Sequence, residues 1–203
     1  MSLREYQRKR RFGVTPEPAG RPDLPRRKTG RLRYVIHQHQ ARQLHYDLRL
    51  EWNGVLLSWA VPKGPSLDPA VKRLAIRVED HPVDYAAFEG IIPEGEYGAG
   101  AVLVWDRGSW APDDEDVDAA LRRGELKFTL QGTKLKGSWV LVRTRSGYGG
   151  SSRRQAWLLI KHRDAYASDR DVTASMPRSV VSKQTLAEIA KANKASAQRA
   201  QAH

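Results

Sequence analysis

The chain has no cysteine among its 203 residues. That excludes disulfides and thiolate-bound metals, and it fits a cytoplasmic setting. No long apolar run and no amphipathic basic helix is present, so the sequence carries nothing that addresses a membrane. Met1-Ser2-Leu3-Arg4-Glu5 opens without the apolar stretch of a secretory leader, so secretion is not expected. The glycines of Glu89–Gly100 are followed by no Gly-Lys-Ser/Thr and open no helix, which excludes a P-loop and reads as plain turn. No Ser/His/Asp or Cys/His nucleophile arrangement is evident, so any hydrolysis is expected to use water or a substrate hydroxyl. Internal repeats are lacking as well. Negative charge is in deficit: 35 Lys/Arg face 23 Asp/Glu, for a net +12. Such an excess points to a polyanionic partner, nucleic acid before membrane. It is uneven, because residues 1–31 hold ten Lys/Arg and three acids.

What is there starts with Leu44-His45-Tyr46-Asp47-Leu48-Arg49-Leu50. On a strand, side chains two apart share a face. One face then carries His45, Asp47 and Arg49, and the other Tyr46, Leu48 and Leu50. Imidazole with carboxylate makes a hard or borderline metal site, and a guanidinium beside them asks for an oxyanion. Asn53-Gly54 between two β-prone runs is the signal for a two-residue hairpin. That turn sets Trp52 opposite Val55, Leu50 opposite Leu57, Leu48 opposite Trp59 and Tyr46 opposite Val61. It leaves Ser58 and Ala60 as small partners of Arg49 and Asp47. A second polar-faced strand reads from Arg73 to His81, with Arg73, Arg77, Glu79 and His81 on one side. Two strands with an apolar back and a charged front describe a concave sheet or barrel around a charged ligand. His37 and His39 offer further imidazoles at strand spacing, and His39 can return to the same site. His162 reads as surface. Trp59, Trp105, Trp139 and Trp157 read as core, and Trp110 is uncommitted.

Residues 1–31 read as a basic, largely irregular arm, with Thr15–Gly20 and Arg26–Gly30 as its turn-rich parts. Residues 32–167 read as the folded domain. They supply a strand and the hairpin, the 73–79 strand, Ala101–Trp105 ending at Asp106-Arg107-Gly108, and three strands at 125–130, 137–143 and 155–162. Asp113–Arg123 has acids first, bases last and Gly124 after it, which is helix chemistry rather than a metal site. Residues 168–203 form a C-terminal segment in which Thr185-Leu186-Ala187-Glu188 is a capping box. Its helix has only Leu186 and Ile189 to bury, so it is expected on the surface or frayed. The fold class is mainly β: a small antiparallel barrel or strongly curved sheet with one or two short helices and a basic arm.

Four stretches together carry a resemblance: Gln38–Leu50, Ser58–Ser66, Val78–Tyr85 and Phe88–Gly100. In this order they closely resemble the 3′-phosphoesterase domain of bacterial DNA ligase D. The likeness runs from about Arg10 to about Ala167, with a coda at Ser179–Ala190. It implies a Mn²⁺-dependent enzyme on a small β-barrel that trims 3′ ends in DNA repair by non-homologous end joining. Such an enzyme removes a terminal ribonucleoside and then the 3′-phosphate, leaving a 3′-hydroxyl. Matched by position, His39, His45 and Asp47 are the implied metal ligands. Arg49, Arg73, Glu79, His81 and Tyr85 match the set around the scissile phosphate, and Arg10 and Glu17 the contribution of the arm. The implied partners are DNA 3′ ends on a primer-template, and a separate ligase or polymerase, or Ku, as recruiter of a monomer at the nucleoid. Two departures stand out. Arg11 replaces a carboxylate of the family and is expected to add DNA affinity while orienting nothing. His37 replaces a glutamine and is an extra potential ligand. The chain lacks the Lys-x-Asp-Gly signature of a ligase and any polymerase module, so a free-standing protein is expected. Two rival readings remain at this level. One is a non-catalytic DNA-end-binding module. The other is a non-haem iron oxygenase built on His45, Asp47 and His81.

Overall fold

The structure, a computed structural model, describes residues 3–20, 31–144 and 156–192. The basic run Arg26–Gly30, the loop at 146–152 and the end of the C-terminal helix lie outside them. Eight antiparallel strands close into a barrel. In ring order they are β1 (Leu32–Gln40), β2 (Leu44–Trp52), β3 (Val55–Val61), β4 (Arg73–Arg77), β10 (Ala156–Lys161), β9 (Lys136–Arg143), β8 (Glu125–Gly132) and β7 (Gly100–Pro112). The ring shuts where β7 pairs with β1. Outside it, β5 (His81–Pro82) pairs with β3 and β6 (Gly90–Ile92) with β7.

The hairpin forms in the expected register, from Trp52↔Val55 to Tyr46↔Val61. Asn53 and Gly54 both take positive φ, 49° and 82°, as a two-residue turn between twisted strands requires. Its apolar face points into the barrel. Leu48, Leu50, Leu57 and Trp59 join Ile36, Trp105, Phe128, Trp139 and Trp157 in one buried cluster drawn from around the ring. Trp110 is buried there too and donates from Nε1 to the Glu51 carbonyl. His162 is half-buried, with Nδ1 on the Ser138 hydroxyl, rather than a free surface residue.

Strand β7 does not stop at Asp106-Arg107-Gly108 but runs on to Pro112. Asp106 is buried in the strand, where it accepts from the Tyr34 hydroxyl at 2.6 Å and from the backbone N–H groups of Thr133, Lys134 and Leu135. It thus caps a turn elsewhere in the chain. At Gly108 the Gln131 carbonyl oxygen approaches so closely that any Cβ would collide with it.

The acidic run is helix chemistry as expected, though the helix α2 starts only at Val117, with Asp116 capping the Ala119 N–H and Gly124 closing it at φ 91°. The capping box at Thr185–Glu188 forms, and residues 186–192 are helical. Its two apolar residues dock on the barrel: Ile189 is buried in the main cluster and Leu186 packs against it. Residues 3–20 of the arm are more ordered than their composition implies. They open with α1 (Arg4–Arg8), whose Tyr6 is fully buried. No helix among the described residues is long and apolar enough to cross a membrane.

Candidate active site

The polar face of the hairpin points outward, away from the barrel interior. The alternation that sends Leu48 and Leu50 into the core sends Asp47 and Arg49 to the outer wall. There they are nonetheless buried, because a second layer covers them. Tyr6 and Tyr85 pack with Val35, Leu56 and Val104 of the wall, and Phe12 and Phe88 pack against that cluster. The site is therefore not inside the barrel, as a charged front around a ligand implied, but between its outer wall and the arm.

One half of the site is metal-like. His39 on β1 lies directly opposite His45 on β2. One donor atom from each of His39, His45 and Asp47 fits within 4.8 Å of the others. Each ring is oriented by a carbonyl. His39 Nε2 lies 2.8 Å from the Gly98 oxygen, and His45 Nδ1 3.0 Å from the Gln43 oxygen. Those contacts place an N–H on the carbonyl side of each ring and turn the second nitrogens, His39 Nδ1 and His45 Nε2, towards Asp47, at 3.8 and 3.6 Å. Two imidazole nitrogens and a carboxylate oxygen converging on one point form a set of donors that one cation can share. The donor set therefore fits a divalent ion of the Mn²⁺, Fe²⁺ or Zn²⁺ kind.

The other half is built for an anion. Arg49 is 3 % exposed. It donates from Nη2 to Asp47 Oδ2 at 3.0 Å, from Nη1 to Ser58 Oγ at 2.9 Å and from Nε to His37 Nδ1 at 3.3 Å. One hydrogen on each terminal nitrogen remains for a ligand. His37 is thus not a ligand in waiting but a support behind Arg49. Burial and the Arg49 charge hold its pKa down at about 3, so it stays neutral and accepts. Burial, the largest single influence, disfavours the charged form of Asp47, but the Arg49 guanidinium and the His39 and His45 imidazoles together outweigh it and keep the carboxyl well below the usual range.

The arm closes this half. Arg10 donates from Nε to Glu17 Oε1 at 2.9 Å and from Nη1 to Glu79 Oε1 at 3.2 Å, while its Nη2 lies 3.3 Å from His81 Nε2. Glu17 also accepts from the Tyr85 hydroxyl at 3.0 Å and from Thr15 Oγ1 at 2.9 Å. The Tyr85 ring stands edge-on to His81 and beneath the Arg49 guanidinium, 4.9 Å from it. Burial lifts the Tyr85 phenol well above its ordinary pKa, so it remains a donor. Burial resists ionisation of Glu79 too, yet its backbone N–H, Lys9 and Arg10 draw its pKa below the usual value. His81 gives Nδ1–H to the Glu79 carbonyl at 2.9 Å. Burial first, then Arg49 and Arg10, hold His81 well below the ordinary imidazole pKa, so it is neutral at pH 7.

Two expectations fail here, for one reason. The run Arg73–His81 is not a single strand. Arg77 pairs with Trp59 and His81 with Leu56, so four steps along one chain oppose three along the other. This bulge of one residue exchanges the faces. Arg73 and Arg77 share the inward face with Ala75, and Arg77 lies over the Trp59 ring. Glu79 and His81, beyond the bulge, reach the site. Arg73 does not. It pairs with Leu159 and sits where its charge acts on Asp171. His81 also stays outside the ligand cluster, so the triad required of an oxygenase does not form with it.

The Gly-rich segment, in turn, is more than plain turn. Glu94 to Ala99 line a cleft of about 1090 Å³ together with Arg10, His39, His45, Asp47, Arg49 and His81. Arg11 is ion-paired with Glu96 of this segment and so orients it. Lys9, which bridges Glu79 and Tyr97, was equally missed. Its position beside Arg10 was the available signal, whereas Glu96 had none at short range.

A family model described as the DNA ligase D 3′-phosphoesterase domain matches residues 37–143. The multifunctional non-homologous end joining protein LigD of Pseudomonas aeruginosa is 55 % identical over 188 residues, covering 91 % of this chain and 22 % of that protein. The corresponding protein of Mycolicibacterium smegmatis is 45 % identical over 149 residues, covering 70 % and 19 %. The chain spans about a fifth of the length of these relatives. The matched region holds the end of β1, all of β2 and β3 and the bulge, and so the part of the wall that carries His39, His45, Asp47, Arg49 and His81: this chain belongs to the DNA ligase D 3′-phosphoesterase domain family.

Proposed function

We propose that this chain is a divalent-metal-dependent 3′-phosphoesterase that processes DNA ends in non-homologous end joining. It takes a terminal ribonucleoside from a 3′ end, then the 3′-phosphate, and leaves a 3′-hydroxyl. The observation that carries the reading is the convergence, in one cleft, of two imidazole nitrogens and Asp47 with the spare hydrogens of Arg49. His39, His45 and Asp47 would hold the ion, Mn²⁺ by preference. When bound, it supplies Lewis-acid stabilisation of phosphate oxygens.

The chain's own groups do the rest. Arg49 and Arg10 bind the non-bridging oxygens and take up charge that develops on them. Glu17 and Glu79 hold the Arg10 fork from two sides, and Tyr85 fixes Glu17. Water attacks phosphorus and releases its proton to solvent as the bond to the leaving oxygen breaks. His81 is neutral at rest, first because it is buried and then because Arg49 and Arg10 face it. A phosphate arriving between those cations adds negative charge beside the imidazole and raises its pKa, so that His81 takes up a proton from solvent and delivers it to the leaving oxygen. Arg73 has no part in this scheme.

The test is incubation with Mn²⁺ and a labelled primer-template ending in one 3′-ribonucleotide. The strand should shorten by one nucleoside and then lose phosphate, and EDTA should stop both steps. An inert protein that still retards the duplex in a gel would make this a DNA-end-binding module instead.

A further inference from the structure

Tyr97 is left over by that scheme. It is 50 % exposed and lines the mouth of the cleft. Tyr85, by contrast, is buried with its hydroxyl committed to Glu17. A single exposed aromatic is ordinary, but three features set this one apart. Its loop is pinned: Gly95 and Gly98 take positive φ, the Glu96 N–H bonds the Pro93 carbonyl, the Ala99 N–H bonds the Glu96 carbonyl, and Arg11 holds the Glu96 side chain. The next residue, Gly98, supplies the carbonyl that orients His39. The ring itself has two cations close to it, with Lys9 Nζ 4.8 Å and Arg10 Cζ 5.6 Å from its centroid. A half-bare ring is therefore fixed beside the guanidinium that faces the phosphate position.

We infer that Tyr97 is the stacking platform for the base of the 3′-terminal nucleoside, the one joined to the scissile phosphate; this deepens the phosphoesterase reading and rests on it. A phosphate held by Arg10 brings its attached sugar and base to the mouth, where this ring is the available π-face. Stacking accepts every base, because each has such a face. The site would thus require a terminal base without choosing among them. The 3′-phosphate left by the first step has no such nucleoside and would not use the ring.

Wild type, Tyr97→Ala and Tyr97→Phe would be compared on strands ending in a ribonucleotide with 2-aminopurine, in an abasic ribose, and in a 3′-phosphate. Binding in EDTA should quench 2-aminopurine fluorescence for wild type and Tyr97→Phe but not for Tyr97→Ala. With Mn²⁺, Tyr97→Ala should raise KM about tenfold on the ribonucleotide end, within the range of one stacked base. It should leave KM on the 3′-phosphate end and on the abasic end unchanged. Equal rises on all three ends would assign Tyr97 to loop shape or the retained strand and overturn the proposal, as would quenching that survives Tyr97→Ala. Were wild type inactive on every end, the phosphoesterase reading would fail, and the quenching comparison would still decide Tyr97.

Discussion

Strand β2 shows two faces of one wall, and burial does not tell them apart. Leu48 and Leu50 on the inner face are 1 % and 0 % exposed; Asp47 and Arg49 on the outer face are 5 % and 3 %. What differs is the company. The inner face meets hydrocarbon and aromatic rings and gains from apolar area removed from water. The outer face meets charged groups, each dehydrated and each held by a partner. Dehydrating an ion pair returns little or nothing in stability compared with apolar packing of the same volume. The outer layer is therefore to be explained by a ligand, and the inner one by the fold.

Neighbouring substitutions break this comparison most sharply. Leu48→Ala should cost about 2–5 kcal/mol of stability, the range for a buried leucine, with metal affinity unchanged in whatever fraction stays folded. Asp47→Asn keeps the volume and an acceptor for Arg49 but removes the charge between His39 and His45. It should weaken Mn²⁺ binding by more than about a hundredfold, beyond the cost of losing an outer-shell partner, and abolish metal-dependent turnover in the folded protein, while also lowering the denaturant midpoint because Arg49 stays buried without its counter-charge. Titration calorimetry and urea melts of the two variants decide it. Wild-type turnover in Asp47→Asn would remove Asp47 from the ligand set.

The next contrast sets arm against wall. Arg10 belongs to residues far from the hairpin in sequence, yet it fills the space over His81. Arg10→Ala should lower turnover by about a hundredfold or more, the size of losing one fixed charge-stabilising donor. Arg10→Lys should rescue little, because an ammonium cannot span Glu17, Glu79 and His81 at once. Wild-type turnover in Arg10→Ala would reduce the arm to an electrostatic tether.

Acid separates the layers by a smaller amount. The folded-state pKa of His81 lies below its ordinary value. As pH falls below about 6.5, the unfolded chain takes the proton first. The stability present at neutral pH is then lost progressively, by at most about 1.4 kcal/mol per pH unit from this one group. Urea midpoints in EDTA should therefore drop between pH 7 and pH 5, and His81→Gln should flatten that slope. An identical slope in the variant would mean that His81 is already protonated at rest.

The hairpin half of the site was legible because its determinants are local. Asn53-Gly54 sets the register, and period-two alternation then places Asp47, Arg49, Ser58 and Ala60 on one face. The closed barrel followed from the same kind of reading. Arg73 was misplaced because a one-residue bulge near Val78–Asp80 leaves no mark in an alternating pattern. The strand through Asp106-Arg107-Gly108 was cut short because Asp and Gly were serving another segment, the turn at Thr133–Leu135 and the close Gln131 carbonyl. The pairing of arm with Gly-rich loop was invisible for a plainer reason. Arg11 and Glu96 are far apart in the chain, and nothing local to either selects the other.

That pair carries the smallest and most discriminating prediction. From the sequence, Arg11 stood where the family has a carboxylate, so Arg11→Asp was expected to raise turnover while loosening DNA slightly. The pairing with Glu96 predicts the opposite sign. The Arg11 side chain is largely exposed, but its partner Glu96 is buried, so Arg11→Asp would set two carboxylates face to face and push the loop off the arm. Arg11→Ala should raise KM modestly with kcat unchanged, because the loop loses a clasp and the phosphate site loses nothing. Arg11→Asp should raise KM further, and the double variant Arg11→Asp, Glu96→Arg should restore it by re-forming the pair in reverse. Measurements at low and high salt add a check, since an exposed pair is screened and the wild-type advantage should shrink as salt rises. Faster turnover in Arg11→Asp would show that a carboxylate at this position acts on the phosphate itself, and that the ion pair with Glu96 is incidental.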